Sequence, residues 1–555
     1  MRVRDERYHA PSLTRRVLAL ALLASSACTA LSDFAVHQCE GHADCDTLNG
    51  EVQRCEAYRC VDGCADNHHC ASFDPRTPIC PATGARCAAL TSTEARCTAA
   101  SAYDDATMGS LTGTDMTIVG GFAPSVVSST WLTLELGANE LNAARGSGAP
   151  ELVPTLVVLC DDAAATVATS VDHLVHRLGA RLLIASLDDI ALSIATDQLS
   201  QDGEALLISP NAASARPRGD DADLIWYLGG QYADVVQAYP PLIRRTAELV
   251  EQQTGLANGL RIAQLVSSAS EDSALAGAVA AAIELNGRDA DYLFREDRFR
   301  RFELSDDSPS QRDEALEQLR LYAPDLILVF TGGTFSEPRG EPRSSAILSL
   351  EEGVGVEPGW APRYVFGPRA LNDETLLQIA TNNPSFSARS LGLSADRTPD
   401  ARLASALRSR FQSSFPDATL AGGASLHTYD ALYQLVYAAA ATQWDPGVHP
   451  RDAMLDGFAR VIDYRGDCVD IGPEGIPAAL QRISSEQPFE LCGTTGPARF
   501  TPDHARDGDI QFFCWQSAAA GASRTVVIDN PLATTLGPLP EAACAENYLS
   551  LGSEP

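Results

Sequence analysis

Two runs of apolar residues, 180–186 and 205–214, constrain the fold of this chain more than any other feature. The first reads ARLLIAS, the second reads ALLISPNAAS, and a segment with helical character joins them. Continuous Leu and Ile without polar alternation predict strands that are buried on both faces, as in a parallel sheet covered by helices. The sequence therefore predicts an α/β fold, whose loops at the carboxyl ends of the strands are the usual place for a ligand.

The same alternation continues along the chain, with recognisable sequence patterns in a fixed order. They include a helix ending in LNAAR, a YVFGP turn, the helix TYDALYQLVYAAA and a closing GTTGPARFT segment. Their order resembles that of the type I periplasmic binding proteins, the branched-chain amino-acid receptor group, over roughly residues 113–520. The resemblance implies two lobes with parallel sheets that enclose a ligand cleft, and it implies a binding protein rather than an enzyme.

Composition and resemblance together predict four regions. These are a signal peptide with a lipobox at 1–28, a Cys-rich tandem repeat module at 29–97, a linker at 98–113 and the type I periplasmic binding domain at 114–545. Within that domain, lobe 1 is expected at about 114–230 and 370–500, and lobe 2 at about 231–369 and 501–545.

The charge balance and the absence of catalytic motifs exclude several function classes. The net charge of −32 disfavours nucleic-acid binding through a basic surface. All 41 basic residues are arginine, so no phosphate-loop lysine, Schiff base or Ser-Lys pair can form. No nucleophile elbow or zinc-protease motif is present. We therefore expect no enzyme activity, no cofactor and no metal.

The N-terminus carries an export signal. Arg15 and Arg16 precede an apolar run at 17–24 that is too short to span a membrane, and small residues then lead to Cys28. This pattern resembles a bacterial lipoprotein cleavage site, which predicts a lipidated Cys28. The protein is then expected in the periplasm or on the outer surface, anchored to the membrane by lipid; ordinary signal cleavage nearby is the alternative.

A repeated cysteine spacing defines the module that follows. Each of its two units carries four cysteines, with the same spacing except in the last gap: Cys39, Cys45, Cys55 and Cys60, then Cys64, Cys70, Cys80 and Cys87. In an exported chain, four cysteines in so short a unit indicate two disulfides per unit. Zinc, with help from His68 and His69, is the alternative, but paired Cys-x2-Cys knuckles are missing.

Apart from Cys28, six further cysteines lie outside the repeats. Four of them allow two bridges near the C-terminus in any of three connectivities: Cys468, Cys492, Cys514 and Cys544. Cys97 and Cys160 either pair, which would clamp the module onto lobe 1, or leave Cys160 buried and free.

Candidate ligand-binding residues follow from aligning the strand-end loops with the resemblance. In lobe 1 they are Ser186, Asp188, Asp189, Asn211, Ala213 and Ser214, and in lobe 2 they are Ser270, Asp272, Gly332 and Gly333. Asp188 and Asp189 occupy positions where the family has hydroxyls that hold a ligand carboxylate. Two carboxylates would repel such a group, so we expect a cationic or polyhydroxyl ligand. The alternative is a degenerate cleft on a scaffold that serves protein contacts.

Two other patterns have structural interpretations. His173 and His176, three residues apart, are expected on a solvated helix face rather than at a metal. Tyr429 and Asp430 are expected to pack and cap their helix.

The resulting functional hypothesis is an exported solute-binding lipoprotein that captures a small ligand between two lobes for ABC-type uptake or sensing. Its expected partners are the ligand and an ABC permease. The alternative is a non-transport cell-envelope lipoprotein that uses the same scaffold to contact envelope proteins.

Overall fold

The computed structural model describes part of the chain, in two compact units, Met1–Ala89 and Leu90–Pro555. The described residues are 45, 53–56, 59–62, 64, 70, 79, 87, 89–99, 117–123, 128–146, 152, 154–187, 189–202, 205–210, 225–229, 232–255, 259–267, 270–304, 309–330, 345–354, 360–368, 370, 374–394, 400–418, 420, 422–442, 450–463, 466–501, 504–506, 511–517 and 523–529.

Among the described residues, β1 and β2 lie in the first unit, and the strands and helices from β3 onward lie in the second unit. The strands are β1 Gln53–Glu56, β2 Arg59–Asp62, β3 Thr98–Ala99, β4 Thr117–Phe122, β5 Thr155–Cys160, β6 Leu182–Ala185, β7 Leu206–Ser209, β8 Ile225–Tyr227, β9 Ile262–Ser267, β10 Glu284–Leu285, β11 Arg288–Asp289, β12 Phe299–Leu304, β13 Leu326–Phe330, β14 Arg363–Phe366, β15 Ser390–Ser394, β16 Cys468–Asp470, β17 Glu490–Gly493, β18 Gly496–Pro497, β19 Gln511–Ser517 and β20 Ser523–Asp529. The helices are α1 Ser129–Gly146, α2 Ala164–Val171, α3 Asp189–Asp202, α4 Tyr232–Thr254, α5 Ser270–Ala282, α6 Ala290–Arg295, α7 Pro309–Tyr322, α8 Ser345–Gly353, α9 Glu374–Asn382, α10 Pro384–Ala388, α11 Ala401–Ser414, α12 Gly422–Ala441, α13 Pro450–Val461 and α14 Ile476–Ser484.

The first large sheet has the order β3-β5-β4-β6-β7-β8, and all its strands run parallel except β3. Every residue of β5, β6 and β7 is buried, as the unalternating apolar runs predict for a sheet covered on both faces. The second large sheet has the order β12-β9-β13-β14-β15-β19-β20, parallel from β12 to β15 and antiparallel at β19 and β20. The predicted two-lobed α/β fold with parallel sheets, after a disulfide-rich N-terminal region, is confirmed.

The chain changes lobes at places that differ from the expected ones. β15 hydrogen-bonds to β14 in the second sheet, whereas α11 and α12 pack into the core of the first lobe. The return to lobe 1 therefore comes after residue 394, not at about 370. The last passage is also later than 501, because Ala505 still bridges to Tyr227 of β8 before β19 joins the second sheet.

A short segment at residues 90–99 belongs to the second unit, which corrects the predicted module end at 97 and the predicted linker start at 98. Cys97 forms a disulfide with Cys160, and β3 pairs antiparallel with β5. Ser170 also donates to the Ala95 carbonyl at 3.2 Å. We call residues 90–99 the strap, because these bonds fasten it to the edge of the first sheet.

The first unit contains two observed disulfides, Cys45–Cys60 and Cys70–Cys87, each joining the second and fourth cysteine of its repeat. Cys55 and Cys64 are disulfide-bonded as well. The Cys64, Cys70 and Cys87 sulfur atoms lie close enough together to suggest a metal site. Because these cysteines are bonded to sulfur, the disulfide interpretation of the repeats is supported over zinc.

His173 is buried, with only 4% of its surface exposed, so the expectation of a solvated histidine face is wrong for this residue. It lies in a π-helical segment, Asp172–Arg177, that continues α2. Its Nε2 lies 3.3 Å from the Leu90 carbonyl of the strap, so this nitrogen donates. The pattern of the sequence did not reveal that the strap covers this position.

The buried His173 predicts a pH-dependent stability. Burial lowers the pKa of His173 below its usual 6.5, so the unfolded chain takes up this proton at a higher pH than the folded protein. The free energy of unfolding is therefore expected to fall as the pH drops below about 6.5, by at most about 1.4 kcal/mol per pH unit. His173→Gln keeps a donor for Leu90 without titrating. Urea unfolding across this pH range should show a flatter dependence for the variant; parallel curves would contradict the assignment.

Among the described helices, none has both the length and the apolar character that crossing a membrane requires.

Candidate functional site

The strand order of the first sheet creates a crevice at the carboxyl ends of its strands. Numbered along the chain from β4 to β8, the order is 2-1-3-4-5, so the direction of winding reverses between β4 and β6. In open α/β sheets, ligands bind outside the carboxyl ends at this switch point. Phe122 ends β4 and Ser186 follows β6 there, and Pro210 follows the neighbouring β7.

The second sheet repeats this order from β9 to β15, with β12 second, β13 third, β14 fourth and β15 fifth. Its switch point lies between β9 and β13. The helix α5 begins three residues after β9, at Ser270. Tyr239 of α4 donates from its hydroxyl to the Phe366 carbonyl at the end of β14, at 3.0 Å, and so anchors the same edge of this sheet.

The helices that follow the two switch points contact each other. The helix α3 begins at Asp189, just after β6, and α5 begins at Ser270, just after β9; α3 contacts α5 across the lobes. The loops at the carboxyl ends of both sheets therefore lead into helices that meet. This arrangement can hold a small molecule between two lobes.

The structure describes four of the ten predicted site residues. Ser186 is half-buried directly after β6. The backbone of Asp189, Ser270 and Asp272 lies in the first turns of α3 and α5. The remaining candidates lie outside the described residues: Asp188, Asn211, Ala213, Ser214, Gly332 and Gly333.

The start of α12 also reaches this edge of the first sheet, which the sequence did not predict. Ser425 donates to Ser129, the first residue of α1, at 2.9 Å between hydroxyl oxygens. His427 is 1% exposed, and its Nδ1 lies 2.8 Å from the Pro210 carbonyl. The Tyr-Asp-Ala pattern indicated a packed helix but carried no sign of these contacts.

Asp430 of α12 organises a buried polar cluster instead of capping its helix. Each carboxylate oxygen accepts a backbone N–H and a hydroxyl, Oδ1 from Thr494 at 2.8 and 2.9 Å and Oδ2 from Thr495 at 3.0 and 2.7 Å. Arg506 donates to the Thr495 hydroxyl at 2.6 Å and to its carbonyl at 2.5 Å. A Cβ at Gly493 would lie 2.1 Å from Asp430 Oδ2, so this turn requires glycine there.

Asp430→Asn is expected to lower the free energy of unfolding by about 2–3 kcal/mol. In either orientation, the Asn amide group faces a buried backbone N–H that loses its acceptor. Asp400→Asn is the matched control, because Arg402 and Leu403 donate to a single oxygen of this exposed helix cap, which Asn can replace. Urea unfolding measures both; equal losses would contradict the role of Asp430.

Tyr429 and Tyr433 lie on the same helix and make a second polar cluster with α1. Tyr433 donates to Glu140 at 2.8 Å, Tyr429 donates to the same oxygen, and Arg410 donates to the other at 2.7 Å. Burial, followed by the Glu140 charge, raises the pKa of Tyr429 well above its usual value. Both tyrosines therefore stay protonated donors, and they fasten α12 to α1.

The chain was compared with known proteins and solved structures. No protein-family model and no curated protein sequence matches it. An ABC transporter substrate-binding protein from Desulfitobacterium hafniense, in complex with Leu, is 14% identical, with a TM-score of 0.46, over 74% of this chain and 100% of that one. The branched-chain amino acid transporter substrate-binding protein LivJ from Streptococcus pneumoniae, in complex with isoleucine, is 15% identical, with a TM-score of 0.46, over 75% and 100%.

A solute-binding protein of an ABC transporter from R. palustris, in complex with benzoate, is 11% identical to this chain. Its TM-score is 0.48, and the match covers 75% of this chain and 98% of that one. All three are substrate- or solute-binding proteins of ABC transporters.

Proposed function

We propose that this chain is an exported solute-binding protein that captures a small ligand between its two lobes, for uptake by an ABC-type permease or for sensing. The observation that carries the proposal is the pair of switch points, one in each sheet, joined by the contact between α3 and α5. A binding site between two lobes requires such an arrangement, because both sets of strand-end loops then face one ligand.

The proposed ligand is cationic or polyhydroxyl. The chain enters α3 through Asp188 and Asp189 and enters α5 through Ser270, Glu271 and Asp272. Carboxylates at both entrances favour a ligand with ammonium or hydroxyl donors and oppose a ligand carboxylate. Ser186, Asn211, Ala213 and Ser214 complete the proposed lobe 1 side, and Gly332 and Gly333 the lobe 2 side.

Thermal unfolding of the oxidised protein with added solutes tests ligand capture. The panel is putrescine, spermidine, glucose, leucine, benzoate and calcium. A ligand at about one hundred times its Kd adds about 2.7 kcal/mol to the free energy of unfolding. We expect spermidine, putrescine or glucose to raise the unfolding midpoint. A panel without any shift would contradict ligand capture, and a response to leucine alone would contradict the proposed ligand class.

A double variant tests the two acidic residues of lobe 1. Asp188→Asn with Asp189→Asn is expected to abolish the shift. The control is Asp197→Asn, on the exposed side of the same helix α3, which is expected to leave the shift unchanged. Equal shifts of the unfolding midpoint in wild type, the double variant and the control would show that these carboxylates do not contact the ligand.

Membrane attachment through a lipidated Cys28 is part of the proposal and rests on the sequence before it. Labelling cells with a fatty acid analogue should mark the wild-type protein but not Cys28→Ala. Labelling of both, or of neither, would contradict lipidation at this residue.

A second candidate function is a cell-envelope lipoprotein that uses the scaffold for protein contacts. The observation that favours it is the separate disulfide-bonded first unit, with Cys45–Cys60 and Cys70–Cys87, which ligand capture between the lobes does not use. Deleting residues 29–89 should leave the thermal shift intact if the chain captures a solute. Small-angle scattering then distinguishes the two functions, since only ligand capture predicts that a solute makes the particle more compact.

A further inference from the structure

His427 lies in the second turn of α12, beside the carboxyl end of β7 in the first sheet. Its ring is buried, and its Nδ1 lies 2.8 Å from the carbonyl oxygen of Pro210. Pro210 directly follows β7 and is itself buried. Two residues earlier in α12, Ser425 donates to Ser129, at the start of α1, the helix that follows β4. His427 is therefore tied to the carboxyl end of β7, which lies next to β6 in the sheet, and the first turn of its helix is tied to the start of α1.

The bond to Pro210 determines the tautomer of the ring. A backbone carbonyl only accepts hydrogen bonds, so Nδ1 must carry the proton. In the neutral ring, Nε2 is then a lone-pair acceptor that cannot donate. His427 thus presents a fixed acceptor at the carboxyl edge of the first sheet.

That acceptor is buried and unused. His427 Nε2 has no hydrogen-bond partner in the part of the chain that the structure describes. Leaving a buried acceptor without a partner is costly, and native proteins pair such atoms with protein groups, water or ligand. Since Pro210 occupies the other nitrogen, the atom available to a ligand is Nε2.

We propose that His427 is a specificity-determining residue of the cleft, whose Nδ1–H holds the Pro210 carbonyl while Nε2 accepts a hydrogen bond from an ammonium or hydroxyl group of the ligand. This inference rests on the proposed function and deepens it. It adds a neutral acceptor, fixed in orientation, to the acidic residues Asp188 and Asp189. A ligand carboxylate offers no donor for this nitrogen and is rejected there.

The tautomer is tested without any ligand. In the intact protein labelled with ¹⁵N-histidine, the ring of His427 is identified among the ten histidines by its absence from His427→Asn. We expect a protonated Nδ1 and an unprotonated Nε2. A protonated Nε2 would overturn the proposal, because that nitrogen would then be a donor.

Two variants separate ligand contact from loop support. His427→Asn places an amide donor near the Nδ1 position, so it keeps the bond to Pro210 but lacks the Nε2 acceptor. His427→Gln places an amide oxygen near the Nε2 position and loses the bond to Pro210. Affinity for spermidine, or for glucose if glucose gives the larger wild-type shift, is measured by calorimetry on full-length proteins that unfold cooperatively.

We expect His427→Asn to weaken binding of spermidine at least about tenfold, the effect of losing one hydrogen bond to a charged donor, and to weaken binding of glucose, a neutral donor, by less. His427→Gln is expected to retain more affinity than His427→Asn. The reverse order would assign His427 to supporting Pro210 only, and unchanged affinity in His427→Asn would assign Nε2 to a buried water; both results overturn the proposal. If wild type binds none of the solutes, the proposed function itself fails, and the role of His427 fails with it.

Discussion

Replacing Arg389 with methionine is expected to lower the free energy of unfolding by about 3–5 kcal/mol, because a buried carboxylate then loses its cation. Arg389 and Glu351 form an ion pair at 2.6 Å, with 4% and 3% of their side chains exposed. A charge this deeply buried is stable only while its partners are present.

The surroundings of Glu351 explain why no other group replaces Arg389. Tyr364 donates to one carboxylate oxygen at 2.6 Å, and Asn383 donates to the other at 3.0 Å. Both are neutral donors, since burial, followed by the Glu351 charge, raises the pKa of Tyr364 well above its usual value. Arg389 also donates to the Pro362 carbonyl at 2.5 Å, which loses its donor in the variant.

The matched control for this prediction is Arg402→Met. Arg402 pairs with Asp470 at the same 2.6 Å, but 61% and 40% of the two side chains are exposed. Solvent screens such a pair, and its loss is expected to cost less than about 1 kcal/mol. Urea unfolding measures the free energy of unfolding of both variants. Similar decreases would show that the buried Arg389–Glu351 pair stabilises the fold no more than the exposed pair does.

Arg389 precedes β15, at the end of the sheet opposite the cleft, so ligand binding should survive in whatever protein remains folded.

Removing the Cys97–Cys160 disulfide is expected to lower the free energy of unfolding by about 4 kcal/mol. The bond closes a loop with a sequence separation of 63 residues, and cross-linking a long loop restricts the unfolded chain. Both sulfur atoms are buried, so the test variant is Cys97→Ala with Cys160→Ala. Thermal or urea unfolding of the oxidised protein gives the difference.

A contact of the same strap provides the control. Arg96 pairs with Asp161 at 3.1 Å, but 68% of its side chain is exposed. Arg96→Ala is expected to cost less than about 1 kcal/mol. A double alanine variant that is as stable as Arg96→Ala would contradict the disulfide's role in fastening the strap.

The sequence predicted the buried strands because burial on both faces requires a continuous run of apolar residues. The runs at β6 and β7 contain no polar alternation, whereas the expectation of two lobes came from the resemblance of the motif order to the type I periplasmic binding proteins. The lobe boundaries were harder to predict from the sequence. β15 has the sequence SLGLS, which does not specify the sheet to which this strand hydrogen-bonds. Hydrogen bonding to β14 decides that question.

The positions of residues near the site depend on contacts between residues that are far apart in the sequence. His427 bonds to Pro210, 217 positions away, and Asp430 bonds to Thr494, 64 positions away. No local pattern marks such pairs, so the sequence indicated only that α12 is packed. Similarly, two cysteines 63 positions apart could be named as a possible pair, but only the fold brings Cys97 to Cys160.

The most direct test of ligand capture between the lobes is hydrogen exchange, with and without a solute that raises the unfolding midpoint. We expect slower backbone exchange at the start of α3 and at the start of α5 together, because one ligand contacts the switch points of both sheets. Protection confined to one lobe, or to the disulfide-bonded first unit, would contradict it.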